Sequence, residues 1–329
     1  LAEYESASRG RLQLEVVDPK PDSDEEEWAL RYGVLGQRMD PLGEGPAAFL
    51  GLVALAGARQ SALPFFAPSD EPKLEYLVTR LVAEVSATNR TKLGVISALP
   101  VLGLPASFMS PGGNRPPWVS IGELRNQYQV EQLPANFAEV PTDMDTVLVV
   151  HPKRLPDPIL FALDQFVLRG GKLIVFTDPL CLAEQDYPQM EAGLMEMKSD
   201  FNRLTATWGL TQATDRVVSD AATATRVRLP DGSTQRNPAW LTVRNPNLNR
   251  QEIATALLET LMMPMAGYYT GTPAEGLVLT PLISSSPGAG SVTAMEAALA
   301  APQGPTSFQS FAEPVHLALR LTGRFKTAF

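Results

Sequence analysis

The chain has 329 residues, and 27 Lys plus Arg against 36 Asp plus Glu give a formal net charge of −9. That balance excludes a phosphate-tracking nucleic-acid binder, which needs a basic excess, and 44% hydrophobic residues argue against intrinsic disorder. A single cysteine excludes an internal disulfide, and together with two histidines it is too little for a zinc site built from His and Cys alone. At roughly 150 residues per domain, two domains are expected. Proline is abundant, with 29 residues or about 9% against a usual ~5%, and charged residues are sparse at 19%. The chain opens at Leu1 inside helix-like sequence, so a fragment of a longer protein is expected. No stretch reads as a membrane span: Leu93–Asn114 is interrupted by Pro100, Pro105 and Pro111. Pro46–Ala58 is shorter than the ~20 residues a span requires.

In chain order, Leu1–Ser8 reads as the end of a helix. Arg11–Val17 alternates with period two and predicts a strand. Asp22, Asp24, Glu25, Glu26 and Glu27 suit a helix first turn, where carboxylates favour the dipole; a metal or basic-partner site is the alternative. That helix runs to Tyr32 and stops at Gly33. Short strands follow at Ala47–Ala56 and Ser61–Phe65, punctuated by Gly43, Gly45 and Gly57. Lys73–Ala87 places Leu74, Leu77, Val78, Leu81, Val82 and Val85 on one helical face.

From Lys92 the pattern becomes strand–helix–strand. Lys92–Leu99, Asp145–Val150 and Lys172–Thr177 are near-continuous apolar runs, as expected of strands covered on both faces. Trp118–Tyr128 and Pro156–Leu168 read as the intervening helices, and Val130–Leu133 as a short strand. Such alternation predicts a parallel sheet with right-handed crossovers. Further on, Met190–Trp208 and Gln251–Met262 read as helices. Arg226–Leu229 and Thr234–Arg236 flank the hairpin signal Pro230-Asp231-Gly232. Ala239–Val243, Leu277–Ser284 and Pro314–Leu321 read as strands, Ser285–Gln309 as an exposed loop, and Met262, Met263 and Met265 as core filler.

In open parallel sheets ligands bind beyond the C-terminal ends of the strands. The three apolar strands end in Ser97, in His151-Pro152-Lys153 and in Asp178-Pro179. Ser97, His151, Lys153 and Asp178 are therefore the candidate ligand or partner edge. The structural alternatives are a strand-end cap for His151 and a turn or helix cap for Asp178. Cys181 follows the third strand, but Asp178-Pro179-Leu180-Cys181-Leu182-Ala183 lacks the small residues of a nucleophile elbow. A buried, inert thiol is expected. No P-loop, dinucleotide fingerprint or H-E-x-x-H occurs. No catalytic set, metal or cofactor is assigned.

Several segments carry a resemblance: Pro64-Phe65-Phe66, Leu74–Leu81, Gly94–Ser97, Pro117-Trp118, Val149–Lys153, Leu160–Gly171, Val175–Pro179 and the tail Leu319–Phe329. Together they resemble the auxiliary component of an uncharacterised ABC-type transport system related to the gliding-motility protein GldG. The stretch from the His-Pro-Lys turn to the Asp-Pro turn is the most specific part. The resemblance implies a domain shared with intraflagellar-transport proteins, similar to flavodoxin-like and class I glutamine amidotransferase-like sheets without their catalytic cysteine. It implies membrane helices outside this region, an extracytoplasmic (periplasmic) location on a bacterial inner membrane, and ABC permease and ATPase subunits as partners. Residues 1–68 resemble part of a thioredoxin-like domain, without a C-x-x-C.

The expected organisation is an N-terminal α/β region over 1–70, a connecting helix over 71–90, a mainly parallel α/β domain over 91–285, and a loop with a C-terminal segment leading towards a membrane anchor over 286–329. The expected function is that of a non-enzymatic domain acting through protein or ligand interaction, with self-association left open. The rivals are an amidotransferase-like hydrolase using Cys181 or His151, and a small-molecule or carbohydrate binder using the strand-end edge.

Overall fold

A computed structural model describes residues 1–38, 47–57, 59–86, 90–104, 115–134, 136–186, 197–228, 232–299 and 306–329. The chain divides into two units, Leu1–Arg90 and Thr91–Phe329. In the first, helix α1 (Ala2–Ala7) is followed by α2 (Asp24–Arg31). The Ser23 side chain caps α2 by accepting from the Glu26 N–H, and the acidic run fills its first turn. Gly33, at φ +86°, ends it in the left-handed conformation that glycine adopts without steric cost. Strands β1 (Gly36–Arg38) and β2 (Ala47–Phe49) pair, as do β3 (Leu52–Ala56) and β4 (Arg59–Leu63), all antiparallel. Helix α3 (Leu74–Ser86) buries Val78, Leu81 and Val85, three residues of the expected apolar face. Arg11–Val17 pairs with no strand among the described residues. Val16 is 86% exposed, and alternation without a partner edge forms no ladder.

The second unit begins with the expected strand–helix–strand run. It comprises β5 (Lys92–Ser97), α4 (Val119–Gln127), β6 (Gln129–Gln132), β7 (Met144–Val150), α5 (Asp157–Leu168) and β8 (Lys172–Phe176). These four strands form a parallel sheet in the order β6-β5-β7-β8, so strand order reverses between β5 and β7. Period two sorts its side chains. Val147 and Val149 face the core built on Ile159, Leu163 and Phe166 of α5. Leu93, Val95 and Leu148 face the opposite core with Ile121 of α4. Gly94 is required in β5, because a Cβ there would collide with Met144 Sδ and crowd Leu133. The expectation of a doubly covered strand fails at β8. As the edge strand it alternates, leaving Ile174 and Phe176 exposed.

Past β8 the architecture departs from a mainly parallel domain. After the short helix α6 (Asn202–Thr205), every strand pairs antiparallel. These strands are β9 (Leu210–Gln212), β10 (Arg216–Ser219), β11 (Ala224–Arg228) and β12 (Thr234–Val243). After helix α7 (Ile253–Ala256) come β13 (Leu261–Pro264), β14 (Tyr269–Gly271), β15 (Leu277–Ser284) and β16 (Gly290–Thr293). Helix α8 (Ala294–Leu299) precedes β17 (Gln309–Ser310) and β18 (His316–Gly323). They form sheets in the orders β15-β18-β14-β9, β11-β12-β13 and β10-β16-β17. Among the described residues the fold is therefore α/β, with a parallel sheet and several antiparallel ones.

Three further expectations fail against the structure. Gln251–Met262 holds only the single helical turn of α7. Ile253 and Leu257 are 96% and 87% exposed, and Met262 and Met263 instead pair with Thr242 and Leu241 of β12. Met265 is buried, whereas Met262 is exposed rather than core. The loop expected over Ser285–Gln309 carries β16 and α8, because Val292 and Ala294 enter a core with Val217. Of the helix expected over Met190–Trp208, residues 190–196 lie outside the described residues, as do residues 229–231 of the hairpin signal and 105–114 of the Pro/Gly-rich loop.

The C-terminal tail returns to α5. Buried Asp164 accepts bonds from Thr327 Oγ1 (2.7 Å) and the Ala328 N–H (3.0 Å). Phe329 packs edge-on against Phe161, and Phe325 against Trp208.

Candidate functional site

The site stands beyond the C-terminal ends of β7 and β8. The β7–β8 ladder continues one residue past β7, where the His151 N–H donates to Phe176 O at 2.9 Å. His151 then takes φ +52°, a left-handed conformation uncommon for a residue with a side chain, immediately before Pro152. Its imidazole is 1% exposed. After β8 the chain turns through Asp178-Pro179 into Cys181. The Cys181 N–H donates to Met197 O (2.6 Å), and its carbonyl accepts from the Glu184 N–H (3.2 Å). That turn leads into a 3-10 helix over Leu182–Asp186, which carries the Glu184 carboxylate inward to full burial. Ser199 fixes the Asp178 backbone from the other side: its hydroxyl accepts from the Asp178 N–H (2.6 Å) and its own N–H donates to Asp178 O (2.9 Å).

These turns bring five chemistry-bearing side chains together. Glu184 Oε1 lies 3.1 Å from His151 Nε2 and accepts from Lys153 Nζ at 2.7 Å. One ligand-capable atom each from His151, Asp178 and Cys181 lie within 4.8 Å of one another. Burial pushes the His151 pKa down, outweighing the upward pull of Glu184, so the imidazole is held neutral. Burial raises the Asp178 carboxyl to about 6, despite a hydrogen bond with Cys181. The Cys181 thiol is pushed up to about 12, first by burial and then by the Asp178 charge. Tyr269, which shares a 2.9 Å bond between its phenol and Thr177 Oγ1, has its pKa raised mainly by burial.

Of the expected edge, the structure gathers His151, Lys153 and Asp178 around this cluster. Ser97 ends the adjacent strand, but its hydroxyl accepts from the Leu99 N–H (3.0 Å) in a local turn. Glu184 and Ser199 escape the sequence reading. The available signal is the spacing of three in Asp178, Cys181 and Glu184 directly after a strand.

Residues 90–329 match the model of the ABC-transport auxiliary family, described as an ABC-type uncharacterized transport system. The chain belongs to this family. The auxiliary-family match includes the whole parallel sheet and the cluster at its strand ends. No curated protein and no solved structure matches the chain. Among the described residues, no helix is long and apolar enough to cross a membrane.

Proposed function

We propose that this chain is a non-enzymatic, extracytoplasmic domain of an ABC-transport auxiliary protein of the GldG type. In this reading it acts by binding a protein or ligand in company with permease and ATPase subunits. The observation that carries the transport role is the family match over residues 90–329. The interaction role is supported by the state of the site. A nucleophilic cysteine is activated by a lowered pKa, whereas the Cys181 thiol is raised to about 12. The order β6-β5-β7-β8 repeats the 2-1-3-4 start of a flavodoxin-like sheet, which supports that lineage. The test is affinity purification of the full-length gene product, tagged, from membranes of cells that also carry the neighbouring transporter genes. Co-elution of the permease and ATPase is expected. Recovery of the tagged protein without either subunit refutes the reading.

A hydrolase remains the second reading, because His151, Asp178 and Cys181 converge within 4.8 Å. It requires ester or amide turnover that Cys181→Ala abolishes. Equal rates for the two proteins remove it.

A further inference from the structure

The orientation of His151 is fixed by its neighbours. Lys153 has only donors to offer Glu184 Oε1, so that oxygen is an acceptor, and His151 Nε2 meets it as an N–H. The proton is therefore on Nε2, and the lone pair is on Nδ1. Nδ1 is buried and has no hydrogen-bond partner among the described residues. A buried acceptor without a donor costs about 1–3 kcal/mol, and such atoms call for an explanation. The same ring contributes to the His151–Asp178–Cys181 group. A histidine with one nitrogen on a carboxylate and the other left with a lone pair is the arrangement that second-shell carboxylates impose on metal-bound imidazoles.

We propose that His151, Asp178 and Cys181 bind a divalent transition-metal ion of the zinc class, with Glu184 and Lys153 as the outer pair that orients the imidazole. Imidazole, thiolate and carboxylate suit zinc, cobalt and their neighbours, whereas magnesium and calcium take oxygen ligands. The charges close: two negative ligands, Asp178 and the Cys181 thiolate, balance a dication, and Lys153 balances Glu184. On binding, the thiol proton is released to solvent as the Cys181–metal bond forms. Bond lengths of about 2.0–2.3 Å place tetrahedral ligand atoms roughly 3.3–3.8 Å apart. A set already within 4.8 Å therefore closes by about an ångström. The carboxylate supplies what two histidines and one cysteine lack. This inference does not depend on the transport role.

The chain holds one cysteine, so a thiolate-to-metal band reports on Cys181 alone. The 329-residue chain is stripped with chelator and titrated with Co²⁺ at constant pH, with Zn²⁺ as competitor. The expected result is a thiolate-to-cobalt charge-transfer band in the near ultraviolet that saturates at one equivalent and is displaced by Zn²⁺. Cys181→Ser removes the band, and Glu184→Gln weakens binding about 10–100-fold, the usual effect of losing an outer-shell partner. Circular dichroism checks that both variants fold. Wild-type protein that gives no charge-transfer band overturns the proposal, and so does Glu184→Gln binding as tightly as wild type.

Discussion

Asp164 shows how much a single buried carboxylate can organise. It sits on the inner part of α5 at 1% exposure, and it takes donors from residues more than 160 positions away, Thr327 and Ala328. Hydrogen bonds to a charged group contribute about 1.5–3 kcal/mol, so Asp164→Ala is expected to lower stability by about that amount in urea denaturation. Glu296 performs a similar task on α8. Its carboxylate accepts from Ser307 Oγ and from the Thr306 and Ser307 N–H groups, clamping the chain on either side of residues 300–305. Those bonds, the Ser307 hydroxyl first, hold its pKa down at about 2, against 4.5 for a free glutamate. A depressed carboxyl stabilises the fold above its unfolded pKa and loses that effect as pH falls through the folded value. Glu296→Gln should therefore melt earlier than wild type near neutral pH, and the two curves should converge as pH approaches about 2. Neither carboxylate stands out in the sequence, since each acts through partners that only the folded chain supplies. His151, Lys153 and Asp178 are legible, because strand-end position alone selects them. Glu184 is not, because its place depends on the turn that starts at Cys181.

Legibility at the level of elements follows length and burial. The strands β5 and β7 and the helices α3 and α5 are long, and each presents a continuous apolar run or face. Strands β9, β10, β14, β16 and β17 are two to four residues long. A period-two signal needs more residues than that, and antiparallel pairing between distant segments is a long-range choice. The region 251–262 misleads for a different reason: its apolar residues alternate between water and a ladder. If Gln251–Met262 were an amphipathic helix, Ile253 and Leu257 would anchor it. With both side chains in solvent, Ile253→Lys and Leu257→Lys are expected to change stability by no more than about 0.5 kcal/mol each, read by denaturant midpoint. By contrast Phe166→Ala, which empties the α5 face of the parallel-sheet core, should lower stability by about 3–5 kcal/mol in the same assay.

For the molecule as a whole, the high proline content now has a clear place. Pro152 and Pro179 follow directly on His151 and Asp178, and Pro156 stands at the N-cap of α5. The prolines are stiff corners that set where strand ends point. The parallel sheet and the strand-end cluster fall within the second unit, Thr91–Phe329, which the family match over residues 90–329 covers, and that unit is closed by its own tail. Asp164 receives the tail across 163 residues of sequence, and β9 meets β14, which in turn meets β18. Loops of that span close slowly, because their entropy is lost before any distant contact compensates. The consequence is one of timing. On a ribosome that adds about 5–20 residues per second, α5 and β8 emerge many seconds before the residues that cover them. Over that interval Phe161, Asp164 and Trp208 wait without their final partners, which makes the nascent unit a natural client for a chaperone.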